Sequence, residues 1–290
     1  METVVKCVHC KAQDFAKAGF RKTENRGNIQ KYFCNSCKRY FTNDEGFYRM
    51  RNSESVITKA LDLYFSNLSS RKLRDYYRRH SEALISHVSV LDWCRRFTLK
   101  VQKYIDTLQP QLSGEFYADE TFIDCQHRKD RFWVAVDWQT RFIPSIHYSL
   151  EGNSQEARDF FSKIKQKSKP KFIQTDSAPF YVNAFKRTFY TNSGARDEQP
   201  KHIINNTYRT GKHNVRIETV FMKIKDRVID FRGLKALWSA PILLAGIVVQ
   251  HNFIQEHTTT QKHPNELAKV SPNLEVNRWL SLIRTSVFYF

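Results

Sequence analysis

The chain has 290 residues, of which 41% are hydrophobic and 14% aromatic, and its formal net charge is +18 at pH 7. This composition excludes a disordered chain. The sequence contains no run of about 18 apolar residues, so no membrane span is predicted. The first 110 residues and the remainder are both basic, which indicates a polyanionic partner, most simply nucleic acid. A generally basic proteome or a need for solubility is the alternative explanation of this charge.

The first segment, METVVKCVHCK, contains no secretory apolar region. We therefore expect an intracellular protein with no membrane partner.

Four of the six cysteines form two pairs, CVHC at 7–10 and CNSC at 34–37. Each C-x2-C turn places two thiolates on one side of a tight knuckle, and two knuckles complete a tetrahedral Zn²⁺ site. Disulfides or free thiols are the alternative, although disulfides fit poorly in an intracellular chain. The sequence predicts a zinc ribbon over residues 1–50, with His9 outside the ligand set. The predicted zinc ligands are Cys7, Cys10, Cys34 and Cys37.

Residues 51–106 are predicted to form an all-α domain of three short helices, because apolar residues recur at helical spacing. The third helix is predicted over SHVSVLDWCRRF at 86–97. Basic outer faces fit a helix-turn-helix that binds DNA, and a three-helix bundle with solvated basic faces is the alternative. A linker follows at 107–113. The residues predicted here to contact DNA are Arg71, Lys72, Ser86, His87, Ser89, Arg95 and Arg96.

From residue 114 the pattern changes to strands and helices in the order β-β-β-α-β-α-β-α, with a further apolar helix after them. This order predicts an α/β domain over 114–258, with a mixed five-stranded sheet flanked by helices. Residues 259–290 are left as a C-terminal extension.

Three acidic residues stand out in the α/β domain. Asp119 interrupts the first strand, Asp176 directly follows the fourth, and Glu218 lies on a later helix. The first and fourth strands are neighbours in such a sheet, so we expect these carboxylates to converge. Converging carboxylates repel one another unless they hold cations, and hard oxygen ligands in an open site suit Mg²⁺ or Mn²⁺. By strand alternation Glu120 points to the other face, and Asp137 is expected to be structural.

Segment 114–255 resembles the RNase H-like catalytic domain of insertion-sequence DDE transposases. YADETFID…RFWVAVDWQTRF is similar to the first-aspartate block, TDSAPFY to the second, and NVRIETVFMKIKDRV…FRGLKA to the glutamate block. The preceding helices resemble the helix-turn-helix of such transposases, in which an N-terminal zinc ribbon also occurs.

The resemblance implies an RNase H-like fold and a catalytic triad of Asp119, Asp176 and Glu218 that holds two Mg²⁺ or Mn²⁺ ions. Lys225 lies seven residues, about two helical turns, after Glu218, so both lie on one helix face and Lys225 is expected to contact a DNA phosphate. Arg227 is predicted to contact DNA as well. The segment before this helix, at 213–214, supplies His213 and Asn214 as further candidates.

The predicted function is therefore that of a DNA transposase, which binds the terminal inverted repeats of an element and catalyses metal-dependent strand cleavage and strand transfer. The implied partners are terminal-repeat DNA, target DNA and further copies of the chain, in a homodimer or higher homo-oligomer. The implied location is cytoplasmic and nucleoid-associated in a prokaryotic cell. Two alternatives remain open: a domesticated DNA-binding regulator without catalysis, and an RNase H-like nuclease.

Overall fold

The structure is a computed structural model that describes residues 5–23, 27–43, 45–81, 83–190, 199–205, 215–230, 234–270 and 274–287. Its strands form two sheets, one of three strands near the N-terminus and one of five strands between residues 115 and 204.

The small N-terminal sheet is antiparallel and is built on a compact aromatic core. The rings of Phe15, Tyr32 and Phe41 pack with centroids 5.1–5.7 Å apart, next to buried Cys7 and Cys34. So few apolar residues form a marginal core, which a bound metal would supplement. The three strands are β1 (Phe15–Thr23), β2 (Gly27–Cys34) and β3 (Tyr40–Thr42).

Three helices follow, and each begins at a serine N-cap. The side chains of Ser53, Ser69 and Ser86 each accept a hydrogen bond from a backbone N–H in the first turn of their helix. The third helix is 21 residues long and continues past the predicted end at 97, into the start of the predicted linker. The helices are α1 (Glu54–Phe65), α2 (Ser70–Arg79) and α3 (His87–Thr107).

The large sheet confirms the predicted mixed, RNase H-like arrangement. Its strand order is β6-β5-β4-β7-β8, with β5 antiparallel to β4 and β6, and with β4, β7 and β8 parallel. The first and fourth strands of the domain, β4 and β7, are therefore neighbours, as expected. The strands are β4 (Glu115–Cys125), β5 (Arg128–Asp137), β6 (Ser145–Ser149), β7 (Phe172–Thr175) and β8 (Lys201–Ile204).

Helices cover both faces of this sheet and define two cores. One core packs α4 (Ser154–Lys167) and α5 (Pro179–Phe189) on the face that carries Trp133. The other packs α6 (Val215–Asp230) and α7 (Ala240–Val249) on the opposite face. Side chains alternate along a strand, so consecutive residues of β4 enter different cores.

The second core also takes in the N-terminal helices, because buried residues of α1, α3, β4, β5, α6 and α7 belong to one apolar cluster. The cluster therefore continues across the predicted linker at 107–113, so the all-α segment and the α/β domain share one core. The C-terminal extension joins the same cluster through Trp279, which stacks on Phe65 with a centroid distance of 5.6 Å.

A π-helix (Gln250–Ile254) continues α7, and two further helices follow, α8 (Pro264–Leu267) and α9 (Arg278–Ser286). Gln250 of the π-helix connects α1 with α9. Its side-chain amide donates to Asp62 Oδ1 of α1 at 2.6 Å and accepts from Trp279 Nε1 of α9 at 2.8 Å. No helix in the described segments combines the length and apolar character needed to cross a membrane.

The junction of α1, α3 and α7 leaves no room for a side chain at Gly246. A Cβ there would overlap the ring of Phe65 and lie 2.9 Å from Thr98 Oγ1. We expect Gly246→Ala to lower the free energy of unfolding by about 1–3 kcal/mol, because overpacking outweighs a gain of about 1 kcal/mol in helix propensity. Urea denaturation would measure the change, and a double-mutant cycle with Phe65→Leu should show coupling. A neutral or stabilising Gly246→Ala would contradict this packing.

Candidate active site and zinc cluster

The pairing of β4 with β7 brings the first two predicted acidic residues side by side. The parallel register aligns Phe116 with Ile173 and Tyr117 with Gln174. Two residues further along the chain from each member of the last pair lie Asp119, within β4, and Asp176, one residue past the end of β7. Both carboxylates therefore stand just past the last paired residues, at the end of β7.

Asp119 points to the sheet face that α6 covers. Its neighbours at alternate positions, Tyr117 and Ile123, are buried in the core that contains α6. The side chain of Asp119 is half-buried, and its Oδ1 accepts a hydrogen bond from the backbone N–H of Glu120 at 2.8 Å. This bond fixes the orientation of the carboxylate.

Asp176 is held by the chain that follows it. Its Oδ1 accepts a hydrogen bond from the backbone N–H of Ala178 at 2.9 Å, immediately before α5 begins. Because Pro179 starts the helix and contributes no backbone donor, this turn is closed by the aspartate side chain itself. The position of Asp176 is thus tied to the position of α5.

Glu218 lies in the first turn of α6. The helix buries an apolar stripe at Ile217, Phe221, Ile224 and Val228 against the sheet. This 4-3-4 spacing fixes the rotation of α6 and leaves Glu218 exposed beside the stripe. The charge of Glu218 reaches Asp119, which lies in the middle of β4.

The pKa of Asp119 is raised to about 7. Burial is the main cause, and the negative charges of Glu120, Asp176 and, more weakly, Glu218 add to it; the N–H of Glu120 acts in the opposite direction. Asp176 and Glu218 therefore both lie within electrostatic reach of Asp119. Mutual repulsion of this kind is what a bound cation would relieve.

Carboxylate oxygens are the ligands that Mg²⁺ and Mn²⁺ prefer, so this donor set fits the implied ions. Among the described residues, the four cysteines form the only group of three or more ligand atoms that all lie within 4.8 Å of one another. The fold gathers the three carboxylates of the triad into one region, at a wider spacing than that of the cysteines.

Glu120 lies on the other face of β4, as predicted. Its Oε1 accepts from Arg131 Nη1 at 2.6 Å, and its Oε2 accepts from Tyr181 OH at 2.5 Å. Burial raises the pKa of Glu120, while the hydrogen bond from Tyr181 and the charge of Arg131 lower it. Tyr181 and Arg131 were not identified from the sequence, although Arg131 on the neighbouring strand is a natural candidate for a cross-strand partner.

Asp137 is buried and acts within the fold. Its carboxylate accepts hydrogen bonds from the backbone N–H and the hydroxyl of Ser113, at 3.0 and 2.6 Å, and from the same two groups of Thr140, at 3.1 and 2.6 Å. All four donors belong to the segments that enter β4 and leave β5. The structural role expected for Asp137 agrees with these contacts.

The four cysteines of the N-terminal segment converge. Cys7 Sγ lies 3.6 Å from Cys37 Sγ, and Cys10 Sγ lies 3.5 Å from Cys34 Sγ. A tetrahedral Zn²⁺ site with Zn–S bonds of about 2.3 Å has its sulfurs about 3.8 Å apart, so the spacing fits. These separations are far longer than a disulfide bond of about 2.05 Å.

The two cysteine knuckles have the same backbone geometry. Lys11 and Lys38 follow the second cysteine of each pair with positive φ, and their N–H groups bond the carbonyls of Cys7 and Cys34. The thiols interact with one another. Hydrogen bonds, chiefly from the backbone N–H of Cys37, lower the pKa of the Cys34 thiol to about 6, which favours the thiolate that a metal binds, while burial raises the pKa of the Cys37 thiol to about 12. His9 contacts the carbonyl of Tyr40 and is not in the cysteine set.

Of the nine residues predicted to contact DNA, four are exposed, four are half-buried and one is buried. Arg71 and Lys72 are exposed at the start of α2, and Lys225 is exposed on α6. Ser86 and Ser89 bond each other at the start of α3, at 2.9 Å between hydroxyls, and His87 next to them is half-buried.

Arg95 and Arg96 are half-buried and partly engaged within the chain. Arg95 Nε donates to Ser239 Oγ at 2.7 Å, and its guanidinium lies over Trp238. Arg96 Nη2 donates to the Tyr48 carbonyl at 3.1 Å. A contact of either with DNA stays a prediction.

The prediction that Arg227 contacts DNA is wrong, because Arg227 is only 1% exposed. The guanidinium lies over the ring of Tyr64, 4.4 Å from its centroid, and Nη2 donates to the Leu68 carbonyl at 3.2 Å. Arg227 directly precedes Val228 of the buried stripe, so the helix turns it toward α1 and away from solvent. His213 and Asn214 lie outside the described residues.

Comparisons with known proteins address the family and the fold. Residues 114–257 match the family model DDE_Tnp_IS240, described as a DDE domain. No curated protein sequence matches the chain significantly.

Similar solved structures come from retroviruses. A chain of the simian T-cell lymphotropic virus intasome in complex with PP2A regulatory subunit B56 gamma is 18% identical at a TM-score of 0.42, and the match covers 58% of this chain and 57% of that one. The HTLV-2 integrase catalytic core domain in complex with magnesium is 17% identical at 0.40, over 56% of this chain and 98% of that one. The BIV integrase catalytic core domain is 16% identical at 0.39, over 54% and 94%.

The raised pKa of Asp119 predicts a stability effect in Mg²⁺-free buffer. The ordinary pKa of 3.8 rises to about 7 on folding, so the folded chain holds this proton more tightly and stability falls as the pH rises through that interval. Asp119→Asn should therefore stabilise the protein at pH 8 by about 1–4 kcal/mol and at pH 5 by roughly half of that or less.

Urea denaturation at both pH values would measure this difference. Asp124→Asn is a matched control on the same strand, since Asp124 is exposed and paired with Lys129 at 2.6 Å. We expect this control to change stability by less than about 1 kcal/mol. Equal stability of Asp119→Asn and the parent at pH 8 would contradict the electrostatic description of the site.

Proposed function

The chain belongs to the DDE transposases through the DDE domain at residues 114–257, and from that premise we propose that it binds the terminal inverted repeats of a mobile element, cleaves their strands and transfers them to target DNA. One observation carries this proposal. The β4–β7 register sets Asp119 beside Asp176, with Glu218 within electrostatic reach.

In this proposal Asp119, Asp176 and Glu218 hold two Mg²⁺ or Mn²⁺ ions. When bound, such ions activate the attacking water or 3′-hydroxyl and stabilise the oxygen that leaves, in an in-line displacement at phosphorus. The protein's own part is to place the carboxylates and to hold the DNA. Asp119 is oriented by the N–H of Glu120, and Asp176 by the turn into α5.

Lys225 would hold the substrate close to this site. It is exposed on α6, two helical turns beyond Glu218, on the same side of the helix. An ammonium there would pair with a DNA phosphate near the scissile bond.

The N-terminal segments would bind the element ends. Arg71, Lys72, Arg74, Arg78 and Arg79 are all exposed along α2. In the described part of the β1–β2 hairpin, exposed Lys17, Arg21 and Lys22 surround Phe20, whose side chain is 68% exposed. Phosphate contacts by such residues would supply most of the affinity, and the first turn of α3 would read base edges.

Action on two paired ends would require at least a homodimer, bound to terminal-repeat and target DNA in the nucleoid. These partners and this location are part of the proposal.

Asp119→Asn, Asp176→Asn and Glu218→Gln should each reduce Mg²⁺-dependent cleavage by at least about a thousandfold while leaving DNA binding intact. The substrate is a labelled duplex with the inverted repeats that flank the gene, and Asp124→Asn is the control that should cut as the parent does. Triad variants that cut normally would show the assigned residues to be wrong. A parent that binds this DNA but never cuts it would favour the DNA-binding regulator.

We propose that the four-cysteine cluster holds one Zn²⁺ and stabilises the ribbon for end binding. Purified protein should contain about one zinc per chain, and Cys34→Ser or Cys37→Ser should lose it. End binding should then weaken by about tenfold or more, with the α/β domain still folded.

Zinc release measured with a colorimetric chelator, together with gel-shift titration, would test this proposal. Cys94→Ala is the matched control, because Cys94 is a buried cysteine of α3 outside the cluster. Unchanged zinc content in Cys34→Ser and Cys37→Ser would overturn the zinc assignment.

A further inference from the structure

Glu120 is a half-buried carboxylate beside the candidate active site, and both of its oxygens are engaged on the face away from Asp119. Arg131 Nη1 donates to Oε1 at 2.6 Å, and Tyr181 OH donates to Oε2 at 2.5 Å. Glu120 therefore does not compete with Asp119 for a metal ion. Its position calls for another role.

The Tyr181 contact ties Glu120 to the helix that follows Asp176. Tyr181 is in the first turn of α5, and the residue just before that helix, Ala178, donates its N–H to Asp176. The contacts thus run from Asp119 through its neighbour Glu120 to Tyr181, and along the chain back to Asp176.

This connection replaces backbone pairing where the pairing stops. The ladder between β4 and β7 ends at Tyr117 and Gln174, so Asp119 and Asp176 both lie beyond it. Without a further tie, the end of β7 and the start of α5 could move relative to β4. The Glu120–Tyr181 hydrogen bond closes that gap from the other side of the sheet.

Both partners of Glu120 are held firmly. Tyr181 is fully buried and packs on Trp133 and Phe161, with ring centroids 5.6 and 5.8 Å away. The Arg131 guanidinium lies over Phe122, 4.8 Å from the ring centroid. Arg131 also packs so closely on Gly152 that a Cβ there would meet its side chain.

Arg131 also compensates the negative charge that Glu120 places next to Asp119. The carboxylate of Glu120 adds to the repulsion that acts on Asp119, and the guanidinium of Arg131 offsets the charge of Glu120. Glu120 can thus be a strong acceptor for Tyr181 without adding a full uncompensated charge.

We propose that Glu120, through Tyr181 and Arg131, is a positioning residue that fixes the separation of the Asp119 and Asp176 carboxylates for divalent metal binding. The inference rests on the proposed function, because it assumes that these two aspartates bind metal. Groups that orient metal ligands typically change metal affinity by about 10–100-fold when removed.

The test measures Mn²⁺ binding to the zinc-loaded full chain by isothermal titration calorimetry, without DNA. Tyr181→Phe keeps the buried ring and removes only the hydroxyl, and Glu120→Gln keeps the side-chain shape and removes the charge. Each should weaken Mn²⁺ binding by about 10–100-fold and raise the Mg²⁺ concentration for half-maximal cleavage in parallel. Thermal unfolding checks that each variant is folded.

Asp124→Asn is the matched control, because it removes a carboxylate that also bridges β4 to β5, through Lys129, without reaching the site. Its Mn²⁺ affinity should equal that of the parent. Folded Tyr181→Phe and Glu120→Gln with Mn²⁺ affinity within twofold of the parent would overturn the positioning role, as would a lowered melting temperature alone. Asp119→Asn separates this outcome from failure of the proposed function, which would show as Asp119→Asn binding Mn²⁺ and cutting like the parent.

Discussion

The parallel register of β4 and β7 is the constraint on which the candidate active site depends. It aligns Tyr117 with Gln174 and thereby sets Asp119 beside Asp176, although 56 residues separate the two in the chain. A shift of one residue would turn Asp119 to the other face of the sheet, into the core of α4 and α5. The apolar residues on both faces of β4 prevent such a shift, because each set matches its own core.

The two faces of β4 have different roles. On one face Asp119 meets the helix that carries Glu218, and burial together with repulsion among the acidic groups raises the pKa of Asp119 to about 7. On the other face Glu120 is neutralised by Arg131 and bonded by Tyr181. The adjacent carboxylates of Asp119 and Glu120 thus have different environments. Asp119 lies where a cation would bind, and Glu120 is hydrogen-bonded within the fold. The repulsion among the acidic groups on the Asp119 face lowers the stability of the fold, as functional sites commonly do.

Much of this arrangement could be predicted from the sequence. The order of strands and helices follows from hydrophobic periodicity, and the orientation of Glu120 away from Asp119 follows from strand alternation. The neighbouring positions of β4 and β7 were expected from the sheet type that this order of elements indicates. The spacing of the cysteine pairs predicted the cluster for a similar reason, since a C-x2-C turn has a local geometry that does not depend on the rest of the fold.

What could not be predicted depends on long-range packing. Arg227 looked like a DNA contact because it is basic and close to Lys225, but its helix turns it against Tyr64 and Leu68 of a distant segment. The C-terminal extension carries no motif that we recognise, yet Trp279 stacks on Phe65. Tyr181 is one of several aromatic residues in α5, and only the folded arrangement shows which of them meets Glu120. Local patterns do not encode which surfaces will meet.

If Asp119 and Asp176 together bind a divalent cation, an anomalous difference map from crystals of the full chain soaked in MnCl2 shows the ion directly. We expect a peak between the carboxylates of Asp119 and Asp176, within about 2.0–2.3 Å of an oxygen from each. Saturating Mn²⁺ with no peak between these two side chains, in crystals where both are ordered, would contradict it.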